Sequence, residues 1–257
     1  MSSIVNSLKK ANMLINELYR KNLQNTKKNR IKLEQLKDYC KDKKRCFIIG
    51  NGPSLTKQDM DLIKNEVTFV CNRFYKFYED YEATVYFAQD PDVLGNNIKE
   101  INEAKAQFKM INPLTLLDGI RRKIRITGDA ILFHAIRKLY WMKQPPKVSE
   151  SFENGLYDGF TVTYSMIQAA ILLGFQEIYL LGVDFNYVIK DGKIDNSSYP
   201  AEMAGSKGGN ALPNLNYNYQ AYKAAAEYCV AHGIKIVNIS RKTKLDTFPV
   251  GKLEDIL

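Results

Sequence analysis

The chain has 257 residues, 45% hydrophobic and 25% charged, a profile that fits a globular protein with a full core and excludes a disordered or collagen-like chain. No stretch approaches the ~18 uninterrupted apolar residues of a membrane span. The formal net charge of +9 is unevenly placed: residues up to Arg45 carry thirteen Lys and Arg against four Asp and Glu, and the remainder is neutral. A basic appendage on a neutral body does not have the distributed basic footprint of a nucleic-acid-binding domain.

Residues 1–44 form the appendage, read as helical. Leu8, Met13, Leu14, Ile15, Leu18, Tyr19 and Leu23 fall roughly on one helical face, and Ile31, Leu33, Leu36 and Tyr39 begin a second helix. Such a segment either packs on the domain or on a second copy of the chain, or lies against anionic lipid. The opening residues show no apolar run followed by a small-residue cleavage site, so no secretion signal is expected. Cys40, Cys46, Cys71 and Cys229 lack metal-ligand spacing and read as reduced, buried thiols. Cytoplasmic residence follows, with the inner face of the membrane as the alternative station.

The body, 45–257, alternates strand-like and helix-like runs. CFIIG (46–50) reads as a buried strand and 55–66 as a helix, with Thr56 as N-cap and Asp59 three residues on. VTFVCN (67–72) and ATVYFAQD (83–90) read as strands, 96–108 as a helix, and KMINP as a short strand. ILFHAIRKLYWM (131–142) reads as helical and 143–155 as loop. The apolar run 161–175 reads as a helix closed by Gly174, and QEIYLLGVDF as the next strand. Residues 188–216 read as a long loop, 219–233 as a helix ended by Gly233, and IKIVNIS as the last strand. The β-α-β order implies an α/β fold with a mostly parallel sheet flanked by helices.

Ligands of such sheets bind beyond the carboxyl ends of the strands. The residues there are Gly50, Asn51, Gly52, Pro53 and Ser54 after the first strand, Asn72 and Arg73 after the second, and Gln89 and Asp90 after the third. Asp184, Phe185 and Asn186 follow the fifth. Gly50 and Gly52 either make a tight corner or let a phosphate approach backbone amides. The pattern is neither the dinucleotide fingerprint nor a Walker loop. Asn72 and Arg73 suit a phosphate or base, or an ordinary turn. Asp90 and Asp184 suit ribose hydroxyls, a metal ion, a base's role or capping of the next turn. His134 reads as packing and His232 as the end of a helix, so no Ser-His-Asp or Cys-His set can be assembled. Asp184 and a loop tyrosine, Tyr199, are the candidate catalytic groups, and no metal site is expected. Tyr187, Tyr217 and Tyr219 are stacking residues or loop anchors.

IIGNGPSL, then FVCNRFY, then an apolar helix leading into GFQEIYLLGVDF resembles the bacterial sialyltransferases that decorate lipooligosaccharide. It is also similar to the wider group related to the archaeal 6-hydroxymethylpterin diphosphokinases. The resemblance spans roughly 45–250. It implies a modified Rossmann-like, sialyltransferase-like fold with no metal or other cofactor required. It further implies a CMP-linked sugar as donor and a glycan as acceptor in surface-polysaccharide assembly. Asn51, Gly52 and Ser54 would line phosphate and ribose, with Asn72 near the phosphate. Thr161 and Thr163 would lie near phosphate and the sugar carboxylate, and Asp184, Phe185 and Asn186 near cytosine and ribose. The sialyltransferases' catalytic His has no counterpart in 188–218, and their Arg before the apolar helix is replaced by Tyr157-Asp158-Gly159. The alternatives are a magnesium-dependent pyrophosphokinase and a non-catalytic nucleotide-binding subunit. Oligomeric state, a homo-oligomer included, is open.

Overall fold

The computed structural model describes residues 2–76, 79–115, 119–120, 125–187, 189–190, 193–194 and 214–257, with backbone alone for 2–10, 189–190 and 193–194. Two helices come first, α1 (Ser2–Gln24) and α2 (Lys27–Cys40), followed by β1 (Arg45–Ile49), α3 (Lys57–Leu62), β2 (Thr68–Cys71) and β3 (Ala83–Ala88). Then come α4 (Pro91–Glu103), β4 (Ala106–Ile111), β5 (Ile131–Leu132), β6 (Ala135–Ile136) and a single helical turn, α5 (Lys138–Trp141). The chain continues through β7 (Leu156–Tyr157), α6 (Val162–Leu172), β8 (Glu177–Leu181), β9 (Ile189–Lys190), β10 (Lys193–Ile194), α7 (Leu215–Ala231) and β11 (Lys235–Asn238).

Seven strands form one sheet in the order β11-β8-β1-β2-β3-β4-β5, and every pairing in it is parallel. Helices cover both faces, which is why the central strands are continuous apolar runs. Alternation along β1 sends its side chains into two cores. Cys46 and Ile48 join α2, α6 and α7 through Leu36, Met166, Ile167 and Ala225. Phe47 and Ile49 join α3 and α4 through Met60, Ile63, Leu94 and Ile101. Leu33, Leu36 and Cys40 of α2 belong to the first of these cores. All four cysteines are buried. No helix among the described residues is long and apolar enough to cross a membrane.

The loop expected over 188–216 contains the antiparallel pair β9–β10, and the helix expected from 219 already starts at Leu215. Two further segments depart from the expected elements. The helix expected over 96–108 starts earlier and ends at Glu103, with β4 already running from Ala106. Its start is fixed by Asp90, whose Oδ1 accepts from the amides of Asp92 and Val93 at 2.8 and 3.1 Å, and by Pro91 in the first turn. The helix expected over 131–142 is instead β5, β6 and α5. Side-chain amides from distant elements hold this stretch extended. Asn29 accepts from the Leu132 amide (2.6 Å) and donates to the Leu132 carbonyl (2.8 Å). Gln24 accepts from the His134 amide (2.6 Å), and Asn112 from that of Ala135 (3.2 Å). The apolar pattern there thus reflects burial in a clamp, not one face of a helix.

Candidate functional site

The strand order runs outward in both directions from β1 and β8. They are the neighbours at which successive crossovers part, the place where an open parallel sheet leaves a crevice. A cavity of about 310 Å³ opens there.

Its floor is a joint between two backbone loops. The Gly50 amide donates to the Leu181 carbonyl and the Gly52 amide to the Gly182 carbonyl, each at 2.8 Å. A Cβ on Gly50 would stand 2.4 Å from the Gly182 oxygen, and one on Gly52 would stand 2.5 Å from it. Gly182 itself has φ +67. The glycines are therefore required by close approach of protein to protein. The amides of Ser54, Leu55 and Thr56 are also occupied, by Asp184, Gly52 and Asp59 respectively. In residues 50–56, where Pro53 has no donor, the Asn51 amide alone lacks an acceptor among the described residues. The expectation that this turn cradles a phosphate with several amides is thus corrected: one amide is free to do so.

The free donors lie on the opposite wall. Thr161 is the N-cap of α6, yet its side chain makes no capping bond. Its hydroxyl is shared with the Tyr222 hydroxyl at 3.2 Å. The amides of Val162 and Thr163 have no acceptor among the described residues, and both residues line the cavity. Unsatisfied amides at the positive end of a helix attract anionic oxygens.

Beside them stands Arg137, delivered by the loop between β6 and α5. Its Nε donates to the buried carboxylate of Asp158, and its guanidinium lies 5.3 Å from the Phe160 ring centre. Asp158 is fixed in turn by Gln89 (3.1 Å) and the Phe160 amide (2.7 Å), and Gln89 accepts from the Ser165 hydroxyl at 2.6 Å. This chain of bonds locks the guanidinium's root and leaves its two terminal nitrogens without a hydrogen-bond partner among the described residues. Arg137 is the sole cationic side chain lining the cavity among the described residues.

The remaining walls are strained and under-satisfied. Of four non-glycine residues with positive φ among those described, Asn72 (+52), Phe160 (+58) and Phe185 (+50) line the cavity. Such conformations cost about 1 kcal/mol or more each and concentrate at functional sites. Asn51 donates to the Cys71 carbonyl at 3.0 Å, but its side-chain oxygen has no partner. The Asn72 side-chain oxygen is likewise buried and unpartnered. Burial pushes the Cys71 thiol up to about 12, so it is no nucleophile at neutral pH.

Of the residues singled out in the sequence, Gly50, Asn51, Gly52, Asn72, Asp90, Thr161, Thr163, Asp184 and Phe185 line this one cavity. Pro53 is exposed and does not line the cavity. Ser54 is buried and grips Asp184, its amide bonding Oδ2 at 3.0 Å and its hydroxyl bonding Oδ1. Asp184 is thus a strut for the first turn, which corrects its reading as a free base. Arg73 and Asn186 are half-buried and do not line the cavity. Tyr199 lies outside the described residues. Arg137, Phe160, Asn218 and Tyr222 were missed: Arg137 was hidden in an expected helix, and its pairing with Lys138 inside an otherwise apolar run was its only signal. Among the described residues no cluster of three His, Cys, Asp or Glu could hold a metal ion.

A parallel sheet covered by helices on both faces, with a crevice at its switch point, defines an α/β fold. Residues 19–190 match the family model described as 6-hydroxymethylpterin diphosphokinase MptE-like, and the chain belongs to this family. No curated protein matches the chain. Among solved structures, the chain is similar to the sialyltransferase CstII from Campylobacter jejuni in complex with CMP-3FNeuAc. That likeness has 20% identity and a TM-score of 0.46, and covers 80% of this chain and 85% of that one. It is also similar to the monofunctional alpha-2,3-sialyltransferase Cst-I from the same organism, with 19% identity, a TM-score of 0.45, and coverage of 82% and 81%.

Proposed function

We propose that the protein is a nucleotide-dependent transferase whose crevice anchors the phosphate of a CMP-linked sugar, without a metal, and passes the sugar to a glycan hydroxyl. The observation that carries this reading is the uncapped start of α6 beside the unpaired terminal nitrogens of Arg137. One guanidinium and one helix end suit a single phosphoester better than a triphosphate, because the carboxylates of Asp90 and Asp184 also line the cavity.

In this reading the bond between anomeric carbon and phosphate oxygen breaks, and its electron pair stays with the phosphate. Arg137 and the Val162 and Thr163 amides take up the charge as it develops. The acceptor oxygen adds on the opposite face, with inversion. Asp90 uses Oδ1 to cap α4, and its Oδ2 has no partner among the described residues, so it is the carboxylate open to the acceptor's proton. Asn51 and Asn72 offer their unpartnered oxygens to ribose hydroxyls or the base amine, and Phe185 and Tyr187 flank the cavity as stacking surfaces.

A second reading has its own support. The family description names a diphosphokinase, and the Asp90 carboxylate with the Asn51 and Asn72 side-chain oxygens offers hard donors of the kind a hydrated magnesium ion prefers. Titration calorimetry with CMP, CDP and ATP, each with and without magnesium, separates the two. Cytidine nucleotide binding without metal is expected, with Arg137→Ala weakening it by about 1.5–3 kcal/mol, the worth of a hydrogen bond to a charged group. Binding of ATP alone, and only with magnesium, would move the protein to the second reading. Binding of none would leave the crevice without a nucleotide role.

A further inference from the structure

The N-terminal helix is built inside out. Its inward face is polar: Arg20 donates to the Pro113 carbonyl at 2.9 Å, and Gln24 bonds the Phe152 carbonyl and the His134 amide. Glu17 lies against Lys138. Its outward face carries Leu14, Ile15 and Leu18, which are 55, 62 and 62% exposed. Their spacing continues to Lys21 and Asn22, also exposed. Aliphatic side chains are thus offered to the outside where the helix had polar residues available for it.

A second exposed apolar group lies on the element that α1 touches. Lys138 opens α5, and three residues on stand Trp141 and Met142, 61 and 59% exposed. Trp141 packs edge-on against Tyr140, and Tyr140 against Phe160 of the crevice wall. The crevice residue Arg137 directly precedes this turn. An exposed apolar turn therefore stands beside the crevice wall, and its Lys138 meets Glu17 of α1.

Charge decides what could cover them. Residues up to Arg45 carry thirteen cations and four anions; Lys21 of α1 and Lys27, Lys28 and Arg30 at the start of α2 are exposed. A second copy of the chain would bring two such surfaces together and be repelled. An anionic surface would be attracted, and a bilayer also accepts aliphatic and tryptophan side chains at the depth of its headgroups.

We infer that the outward face of α1, with the Trp141–Met142 turn, docks the protein on an anionic lipid bilayer and holds the crevice mouth at the membrane surface. The inference does not depend on which nucleotide the crevice takes.

The test uses the full chain and vesicles of phosphatidylcholine, alone or with about a third phosphatidylglycerol. Co-sedimentation with the anionic vesicles is expected, together with a blue shift of Trp141, the chain's single tryptophan. Raising salt from about 0.1 M to about 0.5 M should cut partitioning at least about tenfold, because screening shortens the reach of the charges. Leu14→Ser with Leu18→Ser should cut it about tenfold with circular dichroism and melting unchanged, since both side chains are exposed. The inference is overturned by absence of sedimentation, by sedimentation indifferent to both salt and the double substitution, or by unshifted Trp141 emission in the bound protein. It is equally overturned if the double substitution abolishes self-association rather than vesicle binding, for then a second copy covers the stripe.

Discussion

Arg137 and His134 stand three residues apart in opposite surroundings. Arg137 is rooted by Asp158 and opens onto the crevice. His134 is 3% exposed, and neither ring nitrogen has a partner. Burial, and then the positive charges of Arg20, Lys138 and Lys21, push its imidazole down from 6.5 to about 3. The folded chain therefore keeps His134 neutral while the unfolded chain takes up its proton as pH falls through 6.5. Stability from this residue is intact above that pH and drains away below it, by about 2 kcal/mol at about pH 5. Urea unfolding at about pH 5 and about pH 7.5 should show this loss in the wild type. His134→Gln, neutral at both, should flatten the difference. An unchanged pH dependence would show that another group carries it.

At the scale of elements, α3 shows what a short helix needs. Six residues cannot hold a helix unaided. The Thr56 hydroxyl accepts from the Asp59 amide at 3.2 Å, and Asp59 Oδ2 accepts from the Thr56 amide at 2.9 Å. Arg241 grips the same carboxylate with both terminal nitrogens. Burial alone would raise the Asp59 carboxyl, but bonds from Arg241 and Thr56 hold it below its ordinary value. Thr56→Ala should cost about 1 kcal/mol in denaturant unfolding; a neutral result would mean that Arg241 suffices. This cap was readable because its partners are three residues apart. The extended stretch at 131–136 was not, because the amides that hold it come from Gln24, Asn29 and Asn112. For the same reason the anion-seeking wall was only half legible: Thr161 and Thr163 stand at a readable helix start, whereas Arg137 arrives through that unreadable stretch. The glycines were legible as a constrained turn, but their purpose lies in Gly182, 130 residues away.

For the whole molecule, the β-α-β order sufficed to expect the parallel sheet, and polar residues after successive strands sufficed to expect convergence at one edge. Neither could show that the crevice's donors sit mainly across from the first turn. A ligand that binds only the folded chain stabilises it by mass action, by about 2.7 kcal/mol when present at about 100 times its dissociation constant. CMP should therefore raise the melting temperature by several degrees in the wild type and by much less in Arg137→Ala. Equal shifts in both would place the anchoring of phosphate elsewhere.

The interlocked carbonyls and missing side chains at Gly50, Gly52 and Gly182 also bear on how this protein can change. No one of these positions can gain a methyl group while the other segment stays where it is. Grafting either segment from a relative would import half of a fitted pair. The two stretches form a single unit of inheritance, although most of the chain lies between them.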